Sequence, residues 1–217
     1  NNHIVSNALT NWNSSIVQGS GNYIQDSSYS FIGTGQANKI MSGSQYSTIV
    51  GGNANKIGKS TDDATYAFIG NGNANEITGD EGDYCSILNG SSNEITSTKD
   101  YNTILGGTGN IIEGTSGNGR NTIVGGASNT IPTGINDTFI IGSAINATAA
   151  GGSIADYTTY TNNLHIVDGS IGVECVPNTT DGHIRASNDI VAFYSDERLK
   201  EKIDIGIKNP IEKIMNI

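Results

Sequence analysis

A nine-residue motif, Ile-x-x-Gly-x-x-Asn-x-Ile, occurs seven times in the first two thirds of the chain. The first isoleucines of the copies are Ile16, Ile32, Ile49, Ile69, Ile87, Ile104 and Ile123, and the second ones are Ile24, Ile40, Ile57, Ile77, Ile95, Ile112 and Ile131. The glycines are Gly19, Gly35, Gly52, Gly72, Gly90, Gly107 and Gly126, and the asparagines are Asn22, Asn38, Asn55, Asn75, Asn93, Asn110 and Asn129. Such self-similarity indicates stacked units that bury one continuous core.

The spacing separates a rigid part of each unit from a loose part. The two isoleucines of a copy are always 8 positions apart, whereas 8 to 12 positions separate one copy from the next. The segment with glycine and asparagine is therefore a fixed turn between two short strands, and the other connection is a loop that accepts insertions. Glycine supplies a backbone angle that a Cβ would forbid, and asparagine suits either a turn or an inward ladder of amides.

A unit of 16 to 20 residues with β-branched anchors predicts an all-β fold, a parallel β-roll or β-solenoid. The glycine density and the lack of a 3.6-residue period exclude a helical solenoid. Calcium-binding rolls need aspartate ligands, and aspartate is absent from the repeated positions, so we expect no metal and no cofactor. An eighth, decayed copy begins at Ile140, keeps Asn146 and has Ser143 in place of glycine. Residues 2–4 resemble half of a further copy, which suggests a piece of a longer protein.

Composition narrows the choice of partners. The net charge is −10, from 21 acidic and 11 basic residues, and a nucleic-acid-binding protein would instead show a basic stripe. No apolar run approaches the ~18 residues of a membrane span, so membrane insertion is not expected. Cys85 and Cys175 show no pairing pattern and fit small buried side chains.

Aromatic side chains and insertions precede several copies. Tyrosine stands three residues before the first isoleucine at Tyr29, Tyr46, Tyr66, Tyr84 and Tyr101. Insertions occur in loops 58–65, 78–83 and 113–119. Exposed aromatic rings can stack on sugars, and loops often carry function, so both groups are candidate receptor contacts. The alternative is that the tyrosines only pack along a strand edge.

The units resemble those of one group of surface proteins. Residues 46–57, Tyr-Ser-Thr-Ile-Val-Gly-Gly-Asn-Ala-Asn-Lys-Ile, and the similar residues 120–131 look like the head repeats of trimeric autotransporter adhesins and like repeats of phage tail fibres. The resemblance covers about residues 2–148 and implies a parallel β-roll in a homotrimer. The repeats here are longer and more variable than in the usual adhesin head.

Three regions follow from these patterns: repeats over 1–148, a β neck over 149–195 and a different segment over 196–217. In the neck, residues 163–176 alternate enough to predict two strands joined by a turn at Asp168-Gly169.

The last region begins within the block Ser195-Asp196-Glu197-Arg198-Leu199-Lys200. A serine and a lysine that loses its proton suffice for nucleophilic catalysis. Five positions do not place them on one helix face, and the block also reads as an ordinary capped helix start.

The residues before the block favour the catalytic interpretation. Residues 182–200 follow Gly-x-Ile-x-Ala-x-x-Asp-Ile-x-Ala-Phe-Tyr-Ser-Asp-Glu-Arg-Leu-Lys, which resembles the self-cleaving intramolecular chaperone of phage tailspikes and tail fibres, of the endosialidase type. The resemblance implies that 196–217 begins an α-containing chaperone domain. It also implies Ser195 as nucleophile, Ser195–Asp196 as the scissile bond and Lys200 as base. Arg198 would lower the pKa of Lys200, or form a surface salt bridge, and Glu197 is a further supporting candidate.

These patterns predict a structural and receptor-binding segment of a phage tail fibre, located in the virion. Its partners would be two further copies, other tail proteins, and a glycan or protein receptor on the host surface. The only enzymatic activity expected is a single self-cleavage. One alternative is a bacterial adhesin head. Another is a polysaccharide-degrading tailspike, with the acids Asp62, Asp63, Asp80, Glu81 and Asp83 in the loops.

Overall fold

The computed structural model describes residues 1–6, 13–59, 64–79, 84–97, 101–114, 119–147, 159–162, 171–173 and 184–186. The chain divides into two compact units, Asn1–Leu164 and His165–Ile217. Every regular element in these ranges is a β-strand, all strand pairs are parallel, and the ranges contain no helix. The first unit is a β-solenoid, which confirms the fold predicted for the repeats.

Two parallel sheets form the solenoid, and each coil contributes one strand to each sheet. The sheet that holds the first strand of each motif, here the first-strand sheet, has nine strands: Ser15–Ile16, Phe31–Ile32, Thr48–Ile49, Phe68–Ile69, Ser86–Ile87, Thr103–Ile104, Thr122–Ile123, Phe139–Ile141 and Thr159–Thr161. The second-strand sheet has eight: His3–Val5, Tyr23–Gln25, Lys39–Ile40, Lys56–Ile57, Glu76–Ile77, Glu94–Ser97, Ile111–Gly114 and Thr130–Ile131. The strand at Thr159–Thr161 extends the first-strand sheet beyond the last recognisable repeat.

The register stacks each motif position on its counterpart in the next coil. Ile49 pairs with Ile32 and Ile69, and Ile57 pairs with Ile40 and Ile77. Two columns of isoleucine therefore face each other between the sheets, and apart from the partly buried Ile16 every motif isoleucine is fully buried. Burying one such side chain contributes roughly 1.5–3 kcal/mol, so the columns supply most of the apolar core.

The asparagines form an inward ladder of amides. Nδ2 of Asn55 donates to the carbonyl oxygens of Gly51 in its own coil (2.9 Å) and of Gly72 in the next coil (3.1 Å). Its Oδ1 accepts a hydrogen bond from the backbone N–H of Asn75 (3.0 Å). The same three bonds recur at every motif asparagine, and all seven are fully buried. The sequence left two roles open for the motif asparagine, a turn residue or an inward ladder of amides, and the structure shows the ladder.

This bonding explains why no other residue type occupies the position. The site offers two carbonyl oxygens and one N–H, which match the two donors and one acceptor of a primary amide. Aspartate would set an oxygen against the carbonyl oxygens, and an apolar side chain would leave all three groups without their bonds.

The motif glycines are required for two independent reasons. Gly52 has φ 96°, in the region that L-residues with a Cβ avoid. A Cβ there would also overlap the carbonyl oxygen of Gly72 and crowd Nδ2 of Asn55. The glycine therefore allows coils to approach closely enough for the amide ladder to form.

The two ends of the ladder depart from the repeat in different ways. At one end, Oδ1 of Asn2 accepts from the N–H of Asn22 (3.1 Å) and Ile4 pairs with Ile24, which confirms residues 2–4 as half of a copy. At the other end, the alignment of the eighth copy on Asn146 is wrong. The N–H of Ile145, not that of Asn146, donates to Oδ1 of Asn129 (3.1 Å).

A deletion of one residue explains this shift. Gly142, not Ser143, stacks on Gly126, since a Cβ at Gly126 would overlap the carbonyl oxygen of Gly142. Ala147 takes the place of the second isoleucine and is fully buried. The eighth coil therefore preserves the glycine but has lost the amide.

In the second unit, Ile171–Val173 pairs in parallel with Ile184–Ala186. The sequence predicted two strands within residues 163–176, joined by a turn at Asp168-Gly169, and those two residues lie outside the described ranges. The Ser195–Lys200 block and segment 196–217 also lie outside them.

We expect Asn75→Asp to lower the free energy of unfolding by about 3–5 kcal/mol at pH 7, because a buried carboxylate would face two carbonyl oxygens. Burial and these oxygens raise the pKa of the new carboxyl above its unfolded value. The loss is therefore complete above the raised pKa and shrinks as the pH falls toward about 3.9. Urea unfolding of variant and wild type across this pH range measures it.

Asn73→Asp is the matched control. Asn73 is exposed in the same coil, and its Oδ1 accepts a bond from Nδ2 of Asn53 that a carboxylate preserves. A change within about 0.5 kcal/mol is expected. Equal effects of the two variants would contradict the ladder.

Candidate functional site

The five tyrosines form a column at one corner of the solenoid, just before the first-strand sheet. All have left-handed backbone conformations, with φ between 54° and 65°. Such a conformation costs a residue with a Cβ roughly 1–2 kcal/mol, and glycine or asparagine is the usual choice. In the first coil the same place is held by Asn13, with φ 57°. Tyrosine is therefore unfavourable for the backbone here, and its side chain must supply the compensation.

Stacking of the rings supplies part of that compensation. Successive ring centroids lie 4.9, 4.9, 4.9 and 5.2 Å apart, with interplanar angles of 0–7°. A stacked pair contributes about 0.5–1.5 kcal/mol beyond its buried area. Each inner ring lies between two others, so stacking covers both of its faces. All five tyrosines nevertheless remain about half exposed.

A second buried column lies under the tyrosines, and sequence reasoning missed it. The residue after each tyrosine points inward and is buried: Ser30, Ser47, Ala67, Cys85 and Asn102. Oγ of Ser47 donates to the carbonyl oxygen of Ala64 (2.8 Å) and accepts from the N–H of Ala67 (3.1 Å). All these residues are small or can form hydrogen bonds, which is the only trait they share in the sequence. These bonds fix the turn from which the rings project.

Charged residues continue the tyrosine column in the next two coils. Arg120 and Asp137 have φ 61° and 54° and occupy the tyrosine position. The Arg120 guanidinium donates to both carboxylate oxygens of Asp137, at 2.6 Å from Nε and 3.0 Å from the terminal nitrogen. This two-bond geometry is the strong form of an arginine–carboxylate pair. The column is thus aromatic over five coils and ionic over the following two.

The insertion loops lead into the same corner as the tyrosines. Loop 58–65 ends at Tyr66 and loop 78–83 ends at Tyr84. Ala64 is fully buried, and its N–H donates to Oγ of Ser44 (3.3 Å), so the end of its loop is tied to the preceding coil. Residues 60–63, 80–83 and 115–118 lie outside the described ranges, and with them the loop acids proposed for a tailspike. The two groups of candidate receptor contacts therefore lie next to each other in the chain.

The outer face of the first-strand sheet is apolar and uncovered. Apart from Ile4, every large apolar side chain that is exposed in the described ranges lies either in the tyrosine column or on this face. The members on the face are Val17, Phe31, Val50, Phe68, Leu88, Leu105, Phe139 and Ile141. Eight coils with a rung spacing of about 4.8 Å make this face roughly 34 Å long.

Each of the first seven coils carries one large and one small side chain on this face. Phe31 is followed two residues later by Gly33, and Phe68 by Gly70, whereas the valine and leucine positions are preceded by serine or threonine. A Cβ at Gly33 would lie 3.3 Å from Cε1 of Phe31, so the ring covers its own glycine. One large side chain per coil therefore projects in each coil from Ser15 to Val124.

The outer face of the second-strand sheet has different chemistry. Its outward residues include Lys39, Lys56, Glu76 and Glu94, and Lys56 forms a 2.8 Å ion pair with Glu76. The solenoid consequently has one charged face and one apolar face.

Within the described part of the chain, no group of three or more histidine, cysteine, aspartate or glutamate side chains could hold a metal ion. In the same part, no helix is long and apolar enough to cross a membrane. The predicted catalytic residues Ser195 and Lys200, with Asp196, Glu197 and Arg198, lie outside it. The chain matches no family model, no curated protein and no solved structure.

Substitutions at Tyr66 test the balance between backbone strain and ring stacking. In Tyr66→Asn the lost stacking is offset by a residue suited to φ 54°, so the free energy of unfolding should change by no more than about 1 kcal/mol. Tyr66→Val loses the stacking and keeps the strain, since a β-branched residue is a genuine outlier there, and should cost more than about 2 kcal/mol. Urea unfolding followed by circular dichroism distinguishes the two, and equal losses would show that the column is not strained.

Proposed function

We propose that this chain is a segment of a homotrimeric phage tail fibre that serves as a rigid support and binds a receptor on the host surface. The observation that carries the proposal is the apolar outer face of the first-strand sheet. Parallel sheets are usually covered on both faces, and exposed apolar patches larger than a few hundred Å² usually mark interfaces.

Further copies of the same chain are the partners that fit this face best. A strip of eight coils fits a partner whose side chains repeat at the same spacing over roughly 34 Å. Another copy of the chain has the same rise per coil, so the coils of parallel copies stay aligned along the whole strip. Three copies arranged around an axis close the contact without an open end, as cyclic oligomers do.

Receptor binding is proposed for the tyrosine corner. It combines exposed aromatic edges with loops of variable length on a rigid scaffold, which is where binding sites commonly lie. A host glycan or a host protein would both be reached from this corner. The charged outer face of the second-strand sheet offers no comparable aromatic surface.

Self-cleavage is the third part of the proposal and rests on the sequence of residues 182–200. The Ser195 hydroxyl oxygen would bond to the carbonyl carbon of the Ser195–Asp196 peptide while Lys200 takes its proton. The Asp196 nitrogen would leave with that proton, and water would then hydrolyse the ester, so that the mature chain ends at Ser195. A trimeric bacterial adhesin head would use the same solenoid without this cleavage.

Leu88→Lys should convert the trimer to a monomer, because it places a charge in the middle of the apolar face. Sedimentation equilibrium should give three times the chain mass for the wild type and the mass of one chain for the variant. Thr130→Lys, on the outer face of the second-strand sheet, is the matched control and should stay trimeric. A wild type that sediments as a monomer would refute this part of the proposal.

Ser195→Ala should abolish cleavage between Ser195 and Asp196. Intact-mass measurement of protein made with the full-length C-terminal region should give a product ending at Ser195 for the wild type and an uncut chain for the variant. Lys200→Met should also remain uncut, because the base is removed. An uncut wild type under these conditions would contradict the cleavage.

A further inference from the structure

We propose that the tyrosine column binds an extended, uncharged, β-1,4-linked polysaccharide that lies parallel to the solenoid axis, with about one sugar ring per coil. The proposal deepens the receptor-binding part of the function above and rests on it. It names the class of ligand and the residues that contact it.

The first argument is the constant spacing of the phenol groups. The rings are parallel within 7° and their centroids are 4.9–5.2 Å apart, so neighbouring rings are related almost by a pure translation. Each hydroxyl therefore lies about as far from the next one as the ring centroids do. From Tyr29 to Tyr101 the row spans four such steps, roughly 20 Å.

The second argument is that the rings are available only at their edges. Stacking covers the faces of Tyr46, Tyr66 and Tyr84, which excludes a sugar ring stacked face to face on them. What the column offers is a row of hydroxyls, each able to donate and to accept a hydrogen bond. Sugar hydroxyls have the same double capacity, so a sugar chain can bond to every member of the row.

The spacing of the row selects among linear polymers. An extended β-1,4-linked chain advances by nearly the same distance per ring as the column does per coil, so contacts stay in register over all five tyrosines. An extended peptide presents side chains on one side only every ~6.6 Å, and it loses register after about two coils. A single-stranded nucleic acid would be repelled by a chain of net charge −10.

Charge decides between neutral and acidic polysaccharides. The segments of sequence that lead into Tyr66, Tyr84 and Tyr101, residues 58–65, 78–83 and 96–100, contain six acidic residues and two lysines. The chain as a whole also carries a net charge of −10, which disfavours uronic or sialic acids as ligands, since like charges repel. The ligand should therefore be uncharged.

The length of the ligand provides the test. Isothermal titration calorimetry of the full chain with cellobiose, cellotetraose and cellohexaose should show affinity that rises with ring number, because each added ring, up to the fifth, meets one more tyrosine. Cellohexaose should bind with a Kd of about 1 mM or lower. Isomaltohexaose, whose flexible α-1,6 linkages do not hold this spacing, should bind at least tenfold more weakly.

Three variants assign the binding to the column. The double variant Tyr46→Asn/Tyr66→Asn should lose at least tenfold in affinity for cellohexaose, and asparagine is a residue that the chain itself uses at this place, at Asn13. Tyr46→Phe/Tyr66→Phe preserves the stack and removes only hydroxyls, and it should also bind more weakly. Tyr23→Thr, which changes a tyrosine on the second-strand sheet to the residue found at Thr130, should bind like the wild type.

Several results would overturn the proposal. These are the absence of cellohexaose binding by the wild type, equal affinity for isomaltohexaose, or unchanged binding by the asparagine double variant. Sedimentation equilibrium of the same samples separates these results from the wider function. A wild type that is trimeric but does not bind cellohexaose would refute the proposed ligand and leave the fibre proposal standing. A monomeric wild type would refute the proposed trimer.

Discussion

The solenoid depends on one polar interaction, the ladder of buried amides. The isoleucine columns supply more free energy, but a hydrophobic contact is non-directional and tolerates sliding. The amide of Asn75 satisfies two carbonyl oxygens and one N–H at once, in two different coils. Any other register would leave these buried groups without partners, at a cost of about 1–3 kcal/mol each. The ladder therefore fixes the register of each coil against the next. Because the register is fixed, the tyrosines and the apolar residues also stack into columns.

The sequence was sufficient for the inner surface of the solenoid because that surface permits few residue types. Gly52 needs a positive φ and no Cβ, and Asn55 needs two donors and one acceptor, so both recur without exception. The failure at the eighth copy has the same origin. Ile145 occupies the position of the asparagine, so the sequence has no amide there to reveal the missing residue. Asn146 lies six residues after Ile140, as the motif requires, and was therefore aligned with the motif asparagines.

The other columns of the solenoid could not be predicted equally well, because several residue types fit each of them. Serine, alanine, cysteine and asparagine all fit under the tyrosine turn, and this variety hid the buried column that holds Ser47 and Asn102. The strain at the tyrosines was also invisible, since a positive φ at a residue with a Cβ has no sequence signal of its own. The apolar face emerges only when Phe31 and Val50, at different motif positions, are placed in one sheet.

The missing residue of the eighth coil has a consequence for where the amide ladder can be extended. Parallel stacks of this kind grow at their ends, where an exposed edge recruits any segment that can extend it, as in amyloid. An amide ladder that ended in asparagine would present a free side-chain carbonyl oxygen to a further coil. Ile145 stands in that place and offers none, so an incoming coil would bury an N–H with no acceptor. The amide ladder therefore ends at the eighth coil, whereas the first-strand sheet continues with Thr159–Thr161.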